Sequence, residues 1–171
     1  MTTSFDQLKV LVVHNSNYMR KLIVDMLDLF GFNDVVMIPS TDAYKILRFN
    51  KVDLIISQYE DDIPVGLKLV KTLRTAQDNL NTNAPIMLIT LSAEEEGIIQ
   101  RALDCGANAV IASPFNYDEF YSALNAVLYG GQSPVKSAYY AGPDRRNREN
   151  RPIGQRERRS TEIAAPFLKA G

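Results

Sequence analysis

Short apolar runs alternate with amphipathic stretches along this chain from residue 8 to residue 130. LKVLVV (8–13) is apolar at odd and even positions alike, the pattern of a strand buried on both faces of a parallel sheet. Ser16 or Asn17 can then cap a helix in which Met19, Leu22, Ile23, Met26, Leu27 and Phe30 recur at helical spacing, with Gly31 closing it. Residues 35–38 form a second short strand. Ser40 or Thr41 is expected to cap a brief helix with Ala43, Ile46 and Leu47 turned inward. VDLIISQ (52–58) is the third strand, and the chain turns sharply polar after it. Pro64 and Gly66 start a helix over 67–75, and the polar loop 77–83 leads to a fourth strand at 86–90. Ser92-x-x-Glu95 is a capping box opening a helix that ends at Gly106. Residues 110–112 form a fifth strand. Asn116-x-x-Glu119 opens the last helix, with Phe120, Leu124, Val127 and Leu128 as its apolar stripe and Gly130-Gly131 as its stop.

Five strands alternating with five helices over about 130 residues predict an α/β fold, a doubly wound five-stranded parallel sheet. Ligands of such sheets gather beyond the carboxyl ends of the strands. His14 and Asn15, Gln58, Thr90 and Ser113 follow or end the first, third, fourth and fifth strands, so the topology predicts one cluster. The domain is expected to span 1–131.

Charge divides the chain differently from hydropathy. The net charge of −1 hides a tail, 132–171, with nine Lys/Arg against four Asp/Glu, and an acidic remainder with ten against sixteen. The tail has turn residues, arginines and little apolar periodicity. It is predicted to be largely disordered or to fold on a partner. Seven of its arginines lie within 145–159. Guanidinium groups bind phosphate bidentately and stack on flat rings, so Arg145, Arg146, Arg148 and Arg151 with Tyr140 are candidates to hold an anionic ligand. The bland alternative is a solvated tail that only modulates solubility, or one that folds back on the acidic domain.

Cys105 is the single cysteine. It permits no intrachain disulfide and reads as a small buried apolar residue rather than a reactive thiol. No signal-like or membrane-length apolar run occurs, which predicts a soluble cytoplasmic protein without membrane insertion. No Cys or acidic partner stands at ligand spacing from His14, so no metal site is expected. Glu60, Asp61 and Asp62 are read as a solvated loop and His14 as a hydrogen-bonded structural residue.

VLVVHNSNYMRKLI, VDLIISQ, PIMLIT and ALDCGANAVIASPF together resemble the CheY-like receiver domain of two-component response regulators. The resemblance covers roughly 9–130 and rests also on Met19-Arg20, Gly66, Thr90, Gly106-Ala107 and Pro114-Phe115. It implies the sheet order 2-1-3-4-5 and a role in phosphorelay signal transduction. It also implies which chemistry is altered. Where receivers place two metal-binding acids, this chain has His14 and Asn15. Where they place the phosphoryl-accepting aspartate it has Gln58, and where they place a lysine it has Ser113. The hydroxyl position, Thr90, is kept. Val110 stands at the aromatic switch position, and the loop proline falls at Pro64 where Asp62 holds its usual place.

A neutral amide is a far poorer nucleophile toward phosphorus than a carboxylate, and magnesium binding usually needs carboxylate charge. The expected protein is therefore a non-enzymatic pseudo-receiver without a cofactor. It would dock a signalling protein (a kinase, regulator or motor component) through the surface over 92–128. Tyr140-Ala-Gly-Pro-Asp-Arg-Arg resembles a tail found after receiver domains in alphaproteobacterial signalling proteins. It is also similar to the arginine-rich segment of CheY-like proteins that engage cyclic di-GMP, although the Arg-x-x-x-Arg spacing of PilZ-type binders is missing. The alternative reading is a cyclic di-GMP sensor. Nonspecific nucleic-acid binding by the tail ranks below both, and a conventional phosphorylated regulator ranks last.

Overall fold

The computed structural model describes residues 5–59, 65–76, 79–91, 97–130, 134–136 and 140–143. Five parallel strands, β1 (Lys9–Val13), β2 (Asp34–Ile38), β3 (Leu54–Gln58), β4 (Ile86–Thr90) and β5 (Ala109–Ala112), lie in the order 2-1-3-4-5. Helices α1 (Asn17–Leu29), α2 (Ala43–Phe49), α3 (Val65–Thr75), α4 (Ile98–Asp104) and α5 (Tyr117–Tyr129) connect or follow them.

The alternation of side chains along each strand divides the core into two layers. Val10 and Val12 of β1, with Leu54 and Ile56 of β3, face α1 and α5 and pack with Ile23, Leu27, Phe120 and Leu124. Leu11, Val13 and Ile55 face the other way, against Leu47, Val70, Leu73 and Ala102. Every residue of β3 and β4 is buried, which explains why these strands read as apolar on both faces until Ser57-Gln58 and Thr90 at their ends. Edge strand β2 is different, with Val36 and Met37 substantially exposed.

The helix ends follow their capping chemistry in part. Ser16 caps α1, its side chain accepting from the Met19 amide at 3.3 Å. Asn116 and Glu119 form a reciprocal capping box at α5. The expected cap of the second helix is corrected. Residues Ser40–Asp42 form a 3-10 turn, Asp42 precedes α2 without a side-chain cap bond, and the Ser40 hydroxyl turns toward Asn15. The box predicted at Ser92 and Glu95 lies outside the described residues; α4 follows Gly97, whose φ is +95°. Cys105 is half-buried and packs against the second core layer.

The amino-terminal end of the sheet is tied by polar side chains. Buried Asn81 accepts from the Val52 amide at 2.9 Å and donates to the carbonyls of Leu47 (2.7 Å) and Asn50 (2.8 Å). Arg74 donates to the carbonyls of Thr82 and Gly106 and to Asn108 Oδ1. Burial pulls its pKa below the ordinary arginine value.

The sheet continues past β5 and past residue 131. β6 (Pro134–Lys136) and β7 (Tyr140–Pro143) form an antiparallel ribbon, and β7 pairs antiparallel with β5, Ile111 opposite Tyr140 and Val110 opposite Ala141. Part of the segment expected to stay outside the fold is thus a sheet edge. Because β7 runs against β5, the chain leaves Pro143 at the amino-terminal end of the strands. Arg145, Arg146, Arg148 and Arg151 lie outside the described residues, and Tyr140 is placed by its backbone alone.

Candidate functional site

Parallel strands deliver their carboxyl ends to one rim, and there the described residues form a linked cluster. His14 and Asn15 leave β1, Gln58 ends β3, Thr90 ends β4 and Ser113 follows β5. The Ser113 amide donates to the Thr90 carbonyl at 2.7 Å, and the His14 amide donates to the Ile38 carbonyl at 3.1 Å. The peptide between Ser113 and Pro114 is cis.

Gln58 is the hub. It is 4% exposed, and its Oε1 accepts from the Asn15 backbone amide at 2.6 Å. The side-chain oxygen of Asn15 in turn accepts from the Ser40 amide at 3.2 Å and from the Ser40 hydroxyl. His14 is buried, and its Nδ1 accepts from the Ser16 amide at 3.0 Å. Thr90 is 2% exposed. The side-chain oxygens of Gln58 and Asn15 thus each already accept from a backbone or hydroxyl donor.

Among the described residues, Arg20 brings a cationic group to this rim. Arg20 Nη1 donates to the carbonyls of His14 (2.5 Å) and Asn15 (3.2 Å), and its Nη2 donates to Asn17 Oδ1 at 3.4 Å. Beyond Ser40, a groove of about 360 Å³ is lined by Ser40, Tyr44, Lys68, Leu69 and Thr72, again with a cationic member. Among the described residues, no group of three or more His, Cys, Asp or Glu stands close enough to share a metal ion. Glu60, Asp61 and Asp62 lie outside them. The donor set of His14, Asn15, Gln58, Thr90 and Ser113 is neutral, a poor match for a hard divalent cation.

Sequence reasoning did not identify Ser40 or the role of Arg20. Ser40 is twenty-five residues from Asn15, and only the pairing of β1 with β2 brings them together. Arg20 belongs to the Met-Arg pair after β1, but nothing in its spacing shows that it returns to the carbonyls of the preceding turn.

The surface expected to receive a partner, 92–128, is reshaped by β7. All four residues of β5 are buried, and its outer edge is paired rather than open. Exposed positions remain at Gln100, Arg101 and Asp104 of α4 and at Tyr117, Asp118 and Tyr121 of α5. Val110, at the switch position, is 1% exposed. No helix among the described residues is long and apolar enough to cross a membrane.

Comparison with known proteins follows the same architecture. The response regulator receiver domain family matches residues 10–125. The probable chemotaxis protein CheY of Rhizobium etli is 28% identical over 124 residues, covering 72% of this chain and 94% of that protein. The phosphate regulon transcriptional regulatory protein PhoB of Pseudomonas aeruginosa is 29% identical over 119 residues, 70% of this chain but 51% of PhoB. In structure, the chemotaxis response regulator CheY4 of Vibrio cholerae superposes with a TM-score of 0.62 at 24% identity, covering 71% of this chain and 98% of that one.

Proposed function

The chain belongs to the response regulator receiver domain family, and on that premise we propose that it is a receiver that takes no phosphoryl group and signals by docking a protein partner. One observation carries the reading. At the end of β3 an amide, Gln58, holds the place of the nucleophile, and its oxygen is already bonded to the Asn15 amide at 2.6 Å. An acyl phosphate needs a carboxylate oxygen, which Gln58 lacks. His14, Asn15 and Ser113 support the same reading, because losing the acids removes both the cation's ligands and the charge a lysine would balance. No catalytic step and no cofactor are part of this function. Its place is a two-component signalling pathway inside the cell.

The test uses a phosphoryl mimic. Beryllofluoride or acetyl phosphate with magnesium should leave the amide NMR spectrum unchanged. Saturable shifts at Gln58, Thr90 and Ser113 would overturn the proposal.

A second reading is favoured by the arginines crowded into 145–159. A cyclic dinucleotide such as cyclic di-GMP offers two phosphates and two guanine faces, which suit Arg145, Arg146, Arg148, Arg151 and Tyr140. On this reading the tail is the sensor and the receiver fold presents it. Calorimetric titration with cyclic di-GMP should give micromolar binding that is lost when the four arginines become alanine. Absence of both heat and NMR shifts removes the sensor and leaves the docking module.

A further inference from the structure

The last parallel strand is closed by a segment whose sequence suits closure poorly. β5 is short and apolar, and its residues Ala109, Val110, Ile111 and Ala112 are each at most 5% exposed. Left open, such a strand presents backbone donors and acceptors beside the core, a template for another chain. β7 covers it with two registered pairs, Val110 with Ala141 and Ile111 with Tyr140. Its sequence, YAGP, contains alanine, glycine and proline, residues depleted in strands, and the proline has no amide hydrogen to give. β6 adds three residues beginning with another proline. A ribbon of this size has little stability of its own. Its backbone also lies against α5. The edge of a buried apolar strand is therefore covered by a weak one.

We infer that β7 is an exchangeable strand, occupying in cis an edge of β5 that takes an extended antiparallel peptide from the partner in trans. The inference deepens the docking reading and rests on it. The occupant is defined by what already sits there: an extended segment, paired through its main chain, with small residues tolerated beside Val110. Main-chain bonds would supply the affinity, as in other cases of strand addition. Hairpin and partner then compete for one row of backbone groups. The partner's apparent affinity is set by the fraction of molecules in which β7 has left.

Hydrogen exchange on the full chain tests the first half. The amides of Tyr140, Ala141 and Gly142 should exchange at least ~100-fold faster than those of Ile56 and Leu88, because they open without global unfolding. Ala141→Pro, which removes a ladder donor, should shift resonances of Ala109–Ala112 and α5 and leave those of β1 and β3 in place. Equal protection of β7 and the central strands would make β7 a fixed part of the fold. An unaltered β5 in Ala141→Pro would mean that β7 is not docked in solution. Either result overturns the inference.

The second half uses a synthetic peptide of residues 134–143 as probe. It should bind the Ala141→Pro chain at β5, and bind the unaltered chain at least ~10-fold more weakly, because the cis strand competes. Release of β7 without peptide binding, or equal binding to both chains, overturns the inference as well. The docking reading fails by a different result, phosphoryl-mimic shifts at Gln58, so the two failures are distinguishable.

Discussion

Alanine at position 66 should cost this protein about 3 kcal/mol, at the upper end of overpacking penalties because the obstructing atoms are backbone. Gly66 stands in the first turn of α3, where the helix leans on the end of β3. A Cβ built there would lie 2.3 Å from the Gln58 carbonyl oxygen and 3.2 Å from the Tyr59 Cα. Neither atom can rotate away. Tyr59 is fixed by its amide donating to the Ile89 carbonyl at 2.6 Å, and Gln58 pairs with β4. Relief requires that α3 move off the sheet, which opens the packing of Leu69, Val70 and Leu73. Thermal unfolding followed by circular dichroism should show a midpoint lowered by on the order of 10 °C. A midpoint within a degree or two of the unaltered protein would mean that α3 does not approach Gln58 so closely. Because the strained contact is at the rim, amide shifts in Gly66→Ala should centre on Gln58 and Tyr59.

Asn81→Ala should be nearly as damaging, for a reason at the opposite end of the sheet. Asn81 is 1% exposed, and its three bonds join the end of α2, the turn before β3 and the loop before β4. Truncation strands the Val52 amide and two carbonyls, and a buried polar group without a partner costs about 1–3 kcal/mol. A total of ~3 kcal/mol is expected, since water entering the vacated space would satisfy some of them. Asn81→Asp separates the contributions. It keeps the oxygen that accepts from Val52 but places a negative charge against the carbonyls of Leu47 and Asn50. Denaturant titration should therefore find aspartate no better than alanine, and recovery with aspartate would show that the Val52 bond alone matters.

The central strands were legible because burial on both faces leaves no polar alternation, and the middles of β1, β3 and β4 carry that mark. Helix α5 was legible down to its capping box, since Asn116 and Glu119 act on neighbours three residues away. Helix α2 was less so. Its expected cap was corrected because Ser40 is drawn to Asn15, a contact the local sequence does not encode. β7 escaped a reading based on apolar periodicity altogether: YAGP has none, and it joins the sheet through backbone pairing to a distant edge. The clustering of Gln58 with Asn15 was implied by topology, whereas the internal satisfaction of that cluster by Ser40 and Arg20 needed coordinates.

The direction of β7 also sets a length constraint on the arginines. Pro143 ends at the amino-terminal pole of the sheet, while Gln58 and Thr90 stand at the carboxyl pole, about 17 Å away along a five-residue strand. Arg145 follows Pro143 by two residues, and fully extended backbone advances at most about 3.6 Å per residue. A span of two extended residues beyond Pro143, about 7 Å, is therefore shorter than the distance between the two poles while β7 stays paired.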